Sequence, residues 1–395
     1  MKNNKKPLPT VFIVDGVRTA ISSPYRSFKT LTADQLAARV IKEIVRRNKV
    51  KKISVSQVIF GNVVSAGLGQ NITRRAAVTA GLSVGSTSFT VNNTCGSGLL
   101  SVVLGMQSIL LRENDIVISG GAESATHSPY LVKRADAENH RVKGMVDSLL
   151  YDGLTCQLTD KRMGDLSEQL AKKHRVSREE QDQYSLQSHR KACLAQSQGV
   201  FSNEIIAILV TSKRIVKKDD RPRRNINLES FKDLKPVFKK KGCVTAGNTS
   251  VPCDGAAAVL LASQKAVGKY KLKPLGKILG YSSIGVDPKL TFEAEATAIK
   301  ACLKKCRLLL KDIDLFEVSE AFAAQAIFIR RKIKIPEGKL NVFGGDLAFG
   351  HPLGAAGTRL LVTLLHGLKT KGLKKGLVCI SYGGGGAMAI IIERC

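Results

Sequence analysis

Two distant segments of this 395-residue chain carry the same unusual order of features. In the first, VNNTCGSGLLSVV followed by DIVISGGAES, an extended stretch meets a tight turn bearing one reactive side chain, Cys95, then an apolar helix, a strand and glycines. The second, VFGGDLAFGHPLGAAGTRLLVTLL followed by GLVCISYGGGGAMA, repeats that order with His351 at roughly the place of Cys95. The helix expected from about Ser97 to Arg112 is apolar nearly all the way round, which requires burial on every side. Two similar halves packed with pseudo-twofold symmetry would bring Cys95 and His351 together.

The rest of the chain fits an α/β frame around these units. TVFIVDG reads as a first strand, and residues 32–47 have helical spacing with Thr32 as cap and basic residues at the C-terminal end of the dipole. VSQVIFGNVVSAG reads as the next strand and its exit loop, and STSFTV as another, so strands alternate with helices. A hydrophobic content of 44% is enough for a large core. Residues 126–245 differ: they are polar, charge-rich and helical in places, and they read as an inserted loop domain. The expected division is residues 8–125 with 246–270 as one core half, 126–245 as the insertion, and 271–395 as the other half.

A formal charge of +30 favours anionic partners without choosing among them. The lysines fall in short scattered runs that suit solvated faces, and the 5% aromatic content with no Trp offers no stacking platform for nucleic acid. Nine cysteines without a CxxC argue for a reducing compartment. Cys302 and Cys306 share a helix face but have no accompanying His or second Cys pair with zinc spacing, so no metal site is expected. The basic N-terminus reaches only a short apolar run before Asp15, neither a signal peptide nor a membrane span, and the expected address is the cytoplasm.

Cys95 stands where a strand enters a helix, and there unpaired amides and the positive end of the dipole stabilise a thiolate. His351, followed by Pro352 at a helix start, is a base for such a nucleophile. The glycines Gly383 to Gly386 offer backbone amides that, with the amide of Cys95, could hold a carbonyl oxygen. Just before them stand Cys379 and Ser381, on one face of a strand. Glu320, in VSEAFAAQ, either anchors a helix or orients a catalytic group. Neither phosphate-loop pattern is present.

The blocks VNNTCGSG, VTAGNTSVPCDGAAAVLL, SEAFA, GGDLAFGHPLGAAGTR and GGGGA resemble, in order and spacing, those of the thiolase family, and the likeness covers nearly the whole chain. It implies a duplicated five-layer αβαβα core with an inserted loop domain, and acyl transfer between coenzyme A and an enzyme cysteine. It also implies a homodimer or homotetramer, a place in β-oxidation that admits a partner subunit, and no metal or bound organic cofactor. Cys95 matches the acylated nucleophile, His351 its activating base, and Gly383 the glycine whose amide holds the thioester oxygen. AGNTS nominates Ser250 beside the pantetheine arm, and the basic loop of residues 217–224 nominates Arg221 and Arg223 for the nucleotide phosphates.

Two positions depart from the family. Thiolases generally carry a second Cys, the acid/base for the carbon atom, where this chain has Ser381, and Asn or His where it has Ser319. An alcohol is a weak proton shuttle near neutral pH, and Cys379 lies one strand repeat deeper. The alternative reading is therefore a CoA-binding protein of the same family with little carbon–carbon chemistry. Arg162, before Met163-Gly164, also stands where acetoacetyl-CoA-forming thiolases commonly have His.

Overall fold

The computed structural model describes residues 9–138 and 144–395; the basic start, the first boundary at residue 8 and a short piece of the insertion lie outside the described residues. The core strands are β1 (Val11–Arg18), β2 (Gln57–Gly61), β3 (Thr87–Val91), β4 (Ile116–Glu123) and β5 (Gly255–Ser263). They are followed by β6 (Gly276–Gly285), β7 (Leu315–Val318), β8 (Lys375–Tyr382) and β9 (Gly386–Arg394). The helices that matter for the site are α1 (Ala33–Arg47), α2 (Ile72–Thr79) and α3 (Ser97–Leu110). To these the later chain adds α4 (Met163–Lys173), α5 (Arg178–Ser197), α6 (Ala294–Cys306), α7 (Ala323–Ile333) and α8 (Ala356–Thr370).

Strand order is β7-β8-β9-β6-β1-β5-β4-β2-β3. The nine strands behave as two sheets, because β1 and β6 meet only through Phe12 opposite Lys277 and Ile13 opposite Gly276. Alternation along each strand then sets the layers. On β4, Ile116 and Ile118 turn to one core with α1 and α2, while Val117 turns to a second core shared with α3 and α8. On β8, Val378 and Ile380 join that same central core, and Leu377 and Cys379 face a third core under α6 and α7. The order helix, sheet, paired central helices, sheet, helix is the layered α/β architecture the family resemblance implied. Among the described residues no helix is long and apolar enough to cross a membrane.

The central helices approach closely at their N-terminal ends. Thr358 Oγ1 donates to the Gly98 carbonyl at 2.8 Å, and a methyl group on Gly357 would lie 2.8 Å from the Leu99 Cβ. This crossing is what draws the turn before α3 against the turn before α8. The β4 strand leaves no slack there: a methyl group on Gly121 would overlap the backbone carbonyl of Gly354. Gly121→Ala is therefore expected to cost about 3 kcal/mol through overpacking against unyielding main chain, read as a lower urea midpoint at unchanged slope. A midpoint within error of the parent would show that the loop gives way freely.

Candidate active site

The turn that carries Cys95 is pinned before the helix begins. Asn92 Nδ2 donates to the Val63 carbonyl at 3.1 Å, and Asn92 Oδ1 accepts from the Thr94 amide at 3.0 Å. Ser97 Oγ accepts from the Asn93 amide at 2.8 Å. Thr94 is held at φ 45°, a conformation costly for a β-branched residue and one that persists only where neighbours over-determine it. Cys95 follows, partly buried, at the amino end of α3.

His351 arrives from the opposite half. Its amide donates to the Val251 carbonyl at 2.8 Å and its carbonyl accepts from the Cys253 amide at 3.3 Å, which fastens it to the strand-like segment after AGNTS. The preceding Gly350 sits at φ 91°, and a side chain there would collide with Cys253. His351 Nδ1 lies 3.5 Å from Asp346 Oδ2, close enough for charge pairing. Burial opposes charge on the ring, yet Cys95 and Asp346 outweigh it and raise its pKa to about 10. Asp346 in turn overcomes its own burial through Arg359 and His351 and is lowered to about 2.

Cys95, His351, Ser381, Gly383 and Ser250 line one cavity of about 390 Å³, with Arg162, Met163, Phe238, Phe322 and Leu353 among its walls. The two repeated turns thus meet. Gly383 opens the hairpin turn between β8 and β9, where Gly384 and Gly385 take φ of 88° and 90°. Cys379 is fully buried under α6 and does not reach the cavity.

The remaining nominated residues lie elsewhere. Ser319 is buried one step behind Ser381, donating to Glu295 Oε1 at 3.1 Å rather than facing the cavity. Arg221 packs beside Gly350 and donates to Ser23 Oγ at 3.2 Å. Arg223 is exposed, and neither arginine lines the cavity. Glu320 is buried and accepts from Ser188 at 2.8 Å, Asn341 at 2.7 Å and Tyr184 at 3.0 Å, while its amide donates to Asp346 Oδ2 at 3.1 Å. It anchors the loop and reaches His351 only through Asp346.

Several carboxylates and an amide at the site escaped the sequence reading. Glu123 accepts from the amides of Val63, Val64 and Gly354 at 3.0, 3.2 and 2.8 Å, tying the two turns together, and burial raises it to about 7. Glu295, at the first turn of α6, accepts from the Ser381 amide at 2.9 Å, and burial raises it to about 8. Gln325 Nε2 donates to Ser381 Oγ at 3.0 Å and to Ser319 Oγ at 3.2 Å. Among the described residues no group of His, Cys, Asp or Glu is arranged to hold a metal ion.

Two family models match the sequence, the N-terminal domain of thiolase over residues 11–265 and its C-terminal domain over residues 272–394. A relative from Staphylococcus aureus (strain COL), named "Probable acetyl-CoA acyltransferase", is 41% identical over 391 residues, covering 97% of this chain and 99% of that one. Human mitochondrial 3-ketoacyl-CoA thiolase, in a crystal structure with CoA, superposes with a TM-score of 0.95 at 38% identity, covering 98% of each chain. The Bacillus anthracis acetyl-CoA acetyltransferase superposes at 0.94 with 35% identity, over 98% of this chain and 99% of that one.

Proposed function

This chain belongs to the thiolase family and is an acyltransferase, and we propose that it cleaves a 3-oxoacyl-CoA with CoA to acetyl-CoA and a shortened acyl-CoA, or runs the reverse Claisen condensation. The observation that carries this reading is the meeting of Cys95 and His351, from the two repeated turns, in one largely apolar cavity. His351 takes the proton of Cys95 and keeps it because Asp346 balances the imidazolium. The thiolate attacks the 3-oxo carbon, and the amides of Cys95 and Gly383 receive the developing oxyanion. The carbon–carbon bond then breaks, leaving the acyl group on Cys95 and an acetyl-CoA carbanion that needs a proton. Free CoA finally collects the acyl group.

Ser250 on the cavity wall suits the pantetheine arm, and the exposed Arg223 remains available to the nucleotide at the surface. We assign the working form as a homodimer or homotetramer in the cytoplasm, with acyl-CoA and CoA as partners and no bound cofactor. The edge strand β3, paired only with β2 among the strands described, suits pairing with a second copy. The three-part division at residues 125, 245 and 270 is proposed on the same footing, since β1 to β5 and β6 to β9 form the two sheets.

A second reading, CoA binding with little carbon–carbon chemistry, draws on Ser381 in place of a thiol. Acetoacetyl-CoA and CoA given to the purified protein decide between them. Thiolysis together with an acylated Cys95 peptide is the expected result. Acylation without cleavage would favour the second reading, and absence of both would overturn the acyl-transfer function.

A further inference from the structure

We propose that Glu295, acting through Ser381, gives and recovers the proton that carbon–carbon cleavage requires, in place of the thiol that thiolases generally carry at the Ser381 position. The inference rests on the acyl-transfer reading above. Ser381 reaches the cavity, and its Oγ accepts from Gln325 Nε2 at 3.0 Å, which occupies a lone pair and leaves its own proton free to be given away. Behind it, Glu295 Oε1 accepts from the Ser381 amide at 2.9 Å and from Ser319 Oγ at 3.1 Å. Burial outweighs the hydrogen bonds that the Gln325, Ser319 and Ser381 side chains direct at this carboxyl, and its Oε2 makes no close hydrogen bond of its own. A buried carboxylate with a bare oxygen is costly, so that oxygen is a natural seat for a proton.

The surroundings contain no competing charge. Among the described residues Glu295 has no ion pair. Ser381 and Cys379 face it from β8, Ser319 from just beyond β7 and Gln325 from α7. Of these only Cys379 titrates, and burial together with the charge of Glu295 pushes its thiol up, so it stays neutral. Burial holds Glu295 at about 8, where a carboxyl can both donate and accept near neutral pH.

The protons balance over a turnover. When the carbon–carbon bond breaks, its electron pair stays on the acetyl-CoA carbon. Ser381 Oγ delivers its proton to that carbon and takes one from the Glu295 carboxyl, leaving the carboxylate. CoA then attacks the acyl group on Cys95 as its thiolate, its thiol proton having passed to water, and a proton from water restores the Glu295 carboxyl. In condensation the same path runs backwards.

Glu295→Gln keeps the Oε1 acceptor and removes the proton. It is expected to lower thiolysis kcat by about 10²-fold or more and to abolish deuterium uptake from D2O into the methyl group of acetyl-CoA. Exchange of labelled CoA with the acetyl group on Cys95, which makes no carbon–carbon bond, is expected to stay within a few-fold. The parent should lose thiolysis as pH rises through about 8, because cleavage needs the protonated carboxyl, and the variant should lose that limb. Glu295→Asp should recover part of the deuterium uptake. Thiolysis and uptake within a few-fold of the parent in Glu295→Gln would overturn the proposal, as would an equal fall in thiolysis and CoA exchange, the mark of a merely structural role. Failure of the acyl-transfer reading shows earlier and differently, as a parent protein whose Cys95 is never acylated.

Discussion

Cys95→Ala is expected to lower thiolysis by on the order of 10⁴-fold or more and to leave no acyl group on the protein, with the fold intact. The chemistry loses its covalent carrier, and no neighbour can replace it. Cys379 is sealed under α6, and Ser381 is an alcohol held by Gln325, far weaker than a thiolate as a nucleophile. The structural cost is small, since a single sulfur is removed from a partly buried site. His351 provides a check independent of activity. Its folded pKa is raised to about 10, so its contribution to stability is complete below its ordinary value and fades as pH climbs toward 10. Cys95 is the largest cause of that rise, and removing it should move the fading to lower pH. An alanine variant that keeps measurable thiolysis, or whose stability profile matches the parent between neutral pH and pH 10, would contradict the pairing of Cys95 with His351.

The parts of this site legible in the sequence are those whose local chemistry is unusual. A cysteine between a strand and an all-apolar helix, a histidine in an echoing turn, and four glycines after a buried strand each break the ordinary pattern of an element, so each can be seen without neighbours. The layered fold was legible through the resemblance that the blocks around these residues carry, and the structure realises it by sending Val117 and Ile118, and Val378 and Cys379, to different cores. Glu295 was not legible. In TFEAEATAIKACLKK it reads as a common acidic residue in the first turn of a helix, where the dipole favours it. Only the packing of α6 across β8 turns it under Ser381. Gln325 and Glu123 are hidden likewise, since their partners lie 56 and 231 residues away. The basic loop shows the limit of charge: a run of it gives sign but not direction, and Arg221 packs beside Gly350 while Arg223 stays exposed at the surface.

Arg359→Met should destabilise the protein by about 3–5 kcal/mol, because it removes one partner of a buried charge cluster while nearly preserving its volume. Arg359 is 1% exposed; its guanidinium bonds Asp346 and lies 3.8 Å from Glu317 Oε2, both of them buried. Without it, Asp346 and Glu317 are left as neighbouring buried carboxylates, with His351 and the Glu320 amide beside Asp346 alone. Glu317 already sits near 8 through burial, so the greater loss falls on Asp346, which Arg359 helps to hold near 2. A carboxylate with a depressed pKa stabilises the fold above its unfolded value and loses that contribution as pH falls through its folded value. Acid unfolding of the variant should therefore begin at higher pH than in the parent. Activity should fall as well, since Asp346 is the group that balances the charge of His351. Adding Asp346→Asn to Arg359→Met should restore part of the stability, by removing the stranded charge, without restoring turnover. Urea midpoints of the parent, the single and the double variant test this: a single variant as stable as the parent, or a double variant less stable than the single, would show that the cluster is not held by its ion pair.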